Sequence, residues 1–226
     1  MPAEVHVLDD PAAEVARRLA GAAQAGGDIA FTGGGTARSA YELAAALGGD
    51  WSRATLWWGD ERCVGADDPR SNYGLARDAL LGGLEPPPRV EWIEGERGLD
   101  AAPHYEQALR ARFGDGPPAF DLLLLGLGRD GHCASLFPGS HALDVADRWV
   151  AGVERAGLEP FVPRITLTLP ALTAAREVIF LVLGAEKADA VRRVFGPGGD
   201  DLPGRRVAQG VARASVLIDA AAAAGL

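Results

Sequence analysis

Phe120–Leu125 reads FDLLLL and Val178–Leu183 reads VIFLVL. Neither run alternates apolar with polar residues. A strand with one wet face alternates. A strand covered on both faces is apolar throughout, and such strands belong to parallel sheets sandwiched by helices. Working outward, Asp28–Thr32 (DIAFT), Ala54–Trp58 (ATLWW), Val90–Ile93 and Ile165–Leu169 are further strand candidates. Helical patterns separate them. One, about 11–25, places Val15, Leu19, Ala22 and Ala23 together; another follows DIAFT, with Ala40, Leu43, Ala44 and Leu47 spaced i, i+3, i+4, i+7. Ser71 or Asn72 can cap a helix near 72–81, and Pro103 suits the first turn of one running to about Phe113. Glu186–Phe195 and the polyalanine tail at 220–224 complete the set. Pro/Gly clusters at 82–88, 114–118 and 196–204 are loop-sized, with no repeat or long linker. The alternation predicts one α/β domain over 1–226, with an open, mostly parallel sheet.

Composition narrows the function. The 226 residues are 48% hydrophobic, enough to bury a core, and the formal charge is −9. That charge disfavours nucleic acid or an anionic membrane as partner. An anionic ligand therefore needs a local cationic pocket. No apolar run is long enough to span a bilayer, and MPAEVHVLDDP carries no signal-peptide pattern, so a soluble cytoplasmic protein is expected. Cys63 and Cys133 form no disulfide framework and no metal spacing. There are 21 arginines but a single lysine, Lys187, and a single asparagine, Asn72. The Arg, Ala, Gly and Pro excess fits a GC-rich coding bias, and residues that run against it invite attention.

Ligands of open α/β sheets bind beyond the carboxyl ends of the strands, so the loops after the four runs matter most. After DIAFT comes Gly33-Gly34-Gly35-Thr36, opening a helix. Free N–H groups and the positive dipole end suit a phosphate; a tight turn with no ligand is the plainer alternative. After ATLWW comes Gly59-Asp60-Glu61-Arg62, either a solvated loop or part of a site. After FDLLLL comes GLGRDGHCASLFPGS, residues 126–140. Its Gly126-x-Gly128-x-x-Gly131 matches the dinucleotide fingerprint, but it falls late in the chain and a lone match is weak. His132, two residues from Asp130, is either a general base or a helix-end histidine with one hydrogen bond. His6, His104 and His141 have no comparable setting. After VIFLVL comes Lys187, a compact cation where Arg would not serve, unless its singularity is chance. Arg164 is a second candidate cation.

Together, FTGGGTA (31–37), WWGDERCV (57–64), SNYGLARDALL (71–81), DLLLLGLGRDGHCASLFPGS (121–140), PRITLTLPAL (163–172) and the Gly-x-x-Lys-Ala at 184–188 resemble the 6-phosphogluconolactonase family. The resemblance covers nearly the whole chain, in order, and extends to the glucosamine-6-phosphate deaminases of the same larger group. It implies a Rossmann-like, mostly parallel twisted sheet flanked by helices on both faces. It implies a hydrolase without cofactor or metal that opens the 1,5-lactone of 6-phosphogluconate in the pentose phosphate pathway, with no obligatory oligomeric partner. By motif, His132 would activate water, Asp130 would orient it or contact the sugar, and Arg62 would lie near the developing negative charge. Gly34, Gly35, Thr36, Arg164 and Lys187 would hold the phosphate, with Asp60 and Asn72 among the substrate-binding residues. Thr36 stands where Ser is common. The cysteines look incidental. A positioned base supplies ~10²–10⁴-fold and an oxyanion donor ~10²–10³-fold, sufficient for a lactone that hydrolyses unaided. No G-x-S-x-G elbow is present, which favours direct water attack. Two alternatives remain: a glucosamine-6-phosphate deaminase-isomerase using Asp60-Glu61, and a non-catalytic sugar-phosphate sensor. Arg62 and the SLFPG after His132 resemble lactonases rather than those deaminases, and a sensor should lack the base.

Overall fold

The computed structural model describes residues 3–226. In chain order the elements are β1 (Glu4–Val7), α1 (Pro11–Gln24), β2 (Asp28–Phe31), α2 (Gly35–Leu47), β3 (Thr55–Trp58), β4 (Asp60–Arg62), α3 (Asn72–Ala79), β5 (Arg89–Val90), α4 (Ala101–Phe113) and β6 (Leu122–Leu125). There follow β7 (Val150–Val153), β8 (Arg164–Leu167), α5 (Leu169–Thr173), β9 (Val178–Val182), α6 (Ala188–Phe195), α7 (Pro203–Gly210) and β10 (Ala214–Ile218). Seven strands form one sheet in the order β1-β10-β9-β6-β2-β3-β5, and every pairing in it is parallel. Helices flank it, as the alternation predicts. The two apolar runs are its centre: every residue of β6 and of β9 is buried.

The order places the site. From β2 the chain steps to β3 and β5 on one side, then returns to β6 on the other side of β2. Strand order therefore reverses between β2 and β6, and the loops leaving their carboxyl ends splay apart into a crevice. Two buried tyrosines brace the strand ends there. Tyr41 Oη accepts from the Thr32 N–H at 3.0 Å and donates to the Thr32 carbonyl at 2.7 Å. Tyr105 Oη does the same for Trp58, at 2.8 and 3.0 Å. Burial pushes both phenols well above their ordinary pKa, so both remain donors. Each hydroxyl satisfies two backbone groups just where the chain leaves the ladder, and leaving such groups unpaired in the core would cost about 1–3 kcal/mol each.

Several sequence expectations are corrected. The helix after DIAFT buries Ala37, Ala40, Tyr41 and Ala44, whereas Leu43 and Leu47 are exposed. Both sets fit the same spacing; Tyr41 decides, because its ring stacks near Phe31 at 4.7 Å while its hydroxyl holds Thr32. Asp60–Arg62 is a strand rather than a loop, and the segment expected as strand 165–169 lies outside the main sheet. With β7 they form a separate antiparallel sheet, β4-β8-β7. The strand expected at 165–169 ends at Leu167, because α5 begins at Leu169 with Pro170 in its first turn. The strand expected at 90–93 is only Arg89–Val90. The chain turns off there so that Gly95 can pass against the carbonyls of Arg62 and Val64, where a Cβ would sit 2.3 and 2.6 Å away. The end of the 196–204 cluster opens α7, with Pro203 in its first turn. The alanine tail forms only a 3-10 turn, Ala222–Gly225. Strands β1, β7 and β10 lack a sequence expectation altogether. Among the described residues no helix is long and apolar enough to cross a membrane.

Candidate active site

The crevice holds a cavity of about 520 Å³. Nine of the ten expected site residues line it: Gly34, Gly35, Thr36, Asp60, Arg62, Asn72, His132, Arg164 and Lys187. Asp130 does not. It lies behind His132, against Nδ1 and away from the cavity.

The glycine loop is built for backbone presentation. Gly34 adopts φ +102°, a region that L side chains avoid, and sits at the N-cap of α2 without any side-chain cap. The first N–H groups of α2 therefore remain available at the cavity. Gly33 is glycine for another reason. A Cβ there would lie 1.7 Å from Asn72 Oδ1.

The loop after β6 carries the imidazole. Asp130 Oδ1 lies 2.5 Å from His132 Nδ1 and accepts from the His132 N–H at 3.2 Å. Burial raises the Asp130 pKa, but the hydrogen bonds and charge of His132 outweigh it, so the carboxyl lies below its ordinary value. In the neutral ring, an ionised acceptor places the hydrogen on Nδ1 and leaves Nε2 with the lone pair. The pair lies over Gly128, where a Cβ would come within 2.0 Å of Nδ1 and 2.6 Å of Asp130 Oδ1. Gly131, at φ +84°, faces Leu202, which a Cβ would meet at 2.6 Å. The element directly after this loop is a 3-10 turn, His141–Asp144, and not an α-helix. The dinucleotide-like glycine spacing thus serves the histidine and the packing of α7's entry. Phe137 packs on the other side of the imidazole, ring centroids 4.4 Å apart.

The antiparallel sheet supplies a second wall. Asp60 is buried; its Oδ2 accepts from Ser135 Oγ at 2.5 Å and its Oδ1 from Asn72 Nδ2 at 3.2 Å. Asn72 Nδ2 also donates to the Asp60 carbonyl at 2.8 Å. Arg164 is 4% exposed; its Nη2 donates to the Pro160 carbonyl at 3.1 Å. Burial lowers its pKa, with Asp60 opposing. Arg62 Nη1 donates to the Arg70 carbonyl at 2.5 Å. Arg62 Nε, Arg164 Nε and Asn72 Oδ1 are buried with no hydrogen-bond partner among the described residues. Three orphans in one cavity are costly without a ligand.

Lys187 comes from the loop after β9. Its Nζ donates to the Leu127 carbonyl at 2.6 Å, and burial lowers its pKa. The cavity counts four cations, Arg62, Arg129, Arg164 and Lys187, against two carboxylates, Asp60 and Glu159. A protein with a charge of −9 thus turns a positive face inward.

The sequence offered Glu61 only beside Asp60 in the deaminase alternative, and it did not single out Ser135, Arg129, Glu159 or Phe161. Glu61 is 1% exposed and gathers four donors: the N–H groups of Arg62, Asn72 and Tyr73 at 2.6, 2.8 and 2.8 Å, and Ser71 Oγ at 3.0 Å. It ties the start of α3 to β4 and so sets Asn72 beside Asp60. Ser135 holds Asp60 from 75 positions away, a distance no local pattern reveals. Arg129, Glu159 and Phe161 also line the cavity. Arg129 stands inside the most informative motif, yet no feature of the motif marks it.

An imidazole backed by a carboxylate, facing a glycine loop and buried cations across the switch point of a parallel sheet, defines an α/β protein fitted to a small anionic ligand. Residues 2–216 match the model of the family described as glucosamine-6-phosphate isomerases/6-phosphogluconolactonase, and the chain belongs to that family. It is 40% identical to a 6-phosphogluconolactonase of Nostoc sp., across 100% of this chain and 99% of that protein. The solved 6-phosphogluconolactonase of Trypanosoma cruzi superposes with a TM-score of 0.87 at 27% identity, covering 100% of this chain and 98% of the other. A monomeric glucosamine-6-phosphate deaminase superposes with a TM-score of 0.83 at 21% identity over 100% of both chains, a likeness of fold alone.

Proposed function

We propose that the chain hydrolyses 6-phospho-D-glucono-1,5-lactone to 6-phospho-D-gluconate. The observation that carries this reading is the Asp130–His132 pair at 2.5 Å, with His132 lining a cavity of cations. His132 Nε2 takes a proton from water as the oxygen attacks the lactone carbonyl. Arg62 faces the oxyanion. The intermediate collapses with cleavage of the ring C–O bond, and the departing ring oxygen takes the proton back from the imidazolium. Water is consumed, an acid and an alcohol form, and no covalent enzyme intermediate is needed. The glycine loop, Thr36, Arg164 and Lys187 hold the phosphate, while Asp60 and Asn72 shape the sugar pocket. The reading carries with it the oxidative pentose phosphate pathway and a cytoplasmic location.

The test is hydrolysis of freshly made lactone coupled to 6-phosphogluconate dehydrogenase, with glucosamine 6-phosphate as a parallel substrate. Acceleration over the spontaneous rate is expected with the lactone, and none with the amino sugar. His132→Ala should lower kcat by at least ~10²-fold. A wild-type protein that leaves the spontaneous rate unchanged would end the hydrolase reading.

A further inference from the structure

Arg129 sits between Gly128 and Asp130, lines the cavity and is exposed at its mouth. Most arginines of this protein are held by a carboxylate or a carbonyl, as Arg62 is by Arg70 and Arg193 by Asp200. Arg129 has no hydrogen-bond or salt-bridge partner among the described residues. The carboxylate beside it in sequence, Asp130, is committed to His132.

A second cation, Lys187, lines the same cavity. The charge of Arg129 acts on Lys187 and disfavours its protonated form. Glu186 and Asp130 act on Lys187 in the opposite sense. The cations of the cavity thus fall into two groups. Arg62 and Arg164 lie with Asp60 and Glu61 on the antiparallel sheet, where Arg62 pairs with Arg164 across β4 and β8. Arg129 and Lys187 lie at the carboxyl ends of β6 and β9. The first group has a buried carboxylate at its centre, and Asp60 offsets part of its charge. In the second, one cation already donates to a backbone carbonyl and the other is free. Two like charges facing one cavity repel each other, and an anion between them converts that repulsion into attraction. A phosphate ester carries nearly two negative charges near neutral pH. Lys187 alone supplies one positive charge as a point donor, whereas a guanidinium adds a planar fork that fits two phosphate oxygens.

Building on the lactonase reading above, we propose that Arg129 is a substrate-binding residue that closes on the phosphate opposite Lys187 and sets the preference for phosphorylated over unphosphorylated lactone. It swings from the rim, so its contact forms on binding, and it touches no reacting atom.

The experiment compares the wild type with Arg129→Gln and Arg129→Lys. Binding of 6-phosphogluconate and of gluconate is measured by calorimetry. Turnover of the phosphorylated and unphosphorylated lactones is measured alongside. A lost charge-assisted contact should weaken 6-phosphogluconate binding and raise KM for the phosphorylated lactone by about ten- to a hundredfold in the Gln variant. The effect should fall on KM rather than kcat, and the ratio of kcat/KM between the two lactones should drop correspondingly. Arg129→Lys should recover part of the loss. An unchanged preference, an equal loss for both lactones, or a fall in kcat with a displaced pH profile would overturn the proposal. The last result would mean that Arg129 acts through Asp130 and His132. A wild type that binds 6-phosphogluconate but hydrolyses neither lactone would refute the hydrolase reading, and the calorimetry would still decide Arg129.

Discussion

Replacing Asp130 by Asn removes one charge and almost no volume. The proposed mechanism gives the carboxylate two tasks, and its contacts show the first. One oxygen holds the Nδ1 hydrogen at 2.5 Å and the His132 N–H at 3.2 Å, which fixes the tautomer and the ring. In the proposed mechanism it would also stabilise the imidazolium formed when His132 takes a proton from water. The two charges are then about 4 Å apart between centres, worth about 4 kcal/mol at an effective permittivity of about 20. Asp130 and His132 side chains are 28% and 17% exposed. Solvent reaches both, so about half to three-quarters of that figure survives, about 2–3 kcal/mol. A loss of that size in the transition state lowers kcat by about 30- to 150-fold. The neutral amide can still accept from Nδ1, so the geometry should persist and KM should stay within about twofold. The assay is the coupled hydrolysis of fresh lactone, with the spontaneous rate subtracted, and a thermal melt to show that the fold is intact. Wild-type kcat in the Asn variant would refute the reasoning. So would a rise in KM alone, because that would place Asp130 on the substrate instead of behind the base.

The remaining predictions touch other parts of the site. Lys187→Gln should raise KM for the phosphorylated lactone by about ten- to a hundredfold with little change in kcat; steady-state kinetics decides, and an unchanged KM removes Lys187 from the phosphate site. Gly128→Ala should drop kcat by at least about tenfold in an otherwise folded protein, because its Cβ would meet His132 Nδ1 at 2.0 Å; full activity would show that the ring has room to move. Glu61 is pushed up from 4.5 to about 6, chiefly by burial, with its four donors opposing. The folded state therefore binds the Glu61 proton more tightly than the unfolded chain. This contribution to stability is fully present below about pH 4.5 and falls away as the pH climbs past about 6, by about 2 kcal/mol in all. Denaturant titrations of the wild type and Glu61→Gln across that range should show the excess slope in the wild type only; parallel curves would contradict it.

The legible and illegible parts of this protein divide along a physical line. The apolar stretches at 122–125 and 178–182 become the buried centre of a parallel sheet, because covering both faces is the only way to bury such strands. The glycine loop, His132 and Lys187 were legible because each sits directly after a strand, where the topology of a parallel sheet sends its loops. Leu43 and Leu47 misled, since helical spacing marks a face without saying which of two overlapping faces is buried. Tyr41 settled that through Phe31 and Thr32. Asp60–Arg62 was ambiguous because a charged tripeptide seldom forms a buried strand. It does here because Glu61 is satisfied by four donors, three of them backbone N–H groups.

By itself the sequence determined the α/β class, the strand-end loops and the kinds of side chain that meet there. Those properties follow from local periodicity and from the short reach of a loop. The tertiary structure alone decided the partners: Ser135 on Asp60, Asn72 against Gly33, Leu127 on Lys187, Asp130 behind His132 rather than in the cavity. It also put Arg129 on the same cavity as the lone lysine, free of any protein acceptor among the described residues. Such pairings join residues from separate strands and loops, and only the order in which β2, β6 and β9 lie side by side brings them within hydrogen-bond reach.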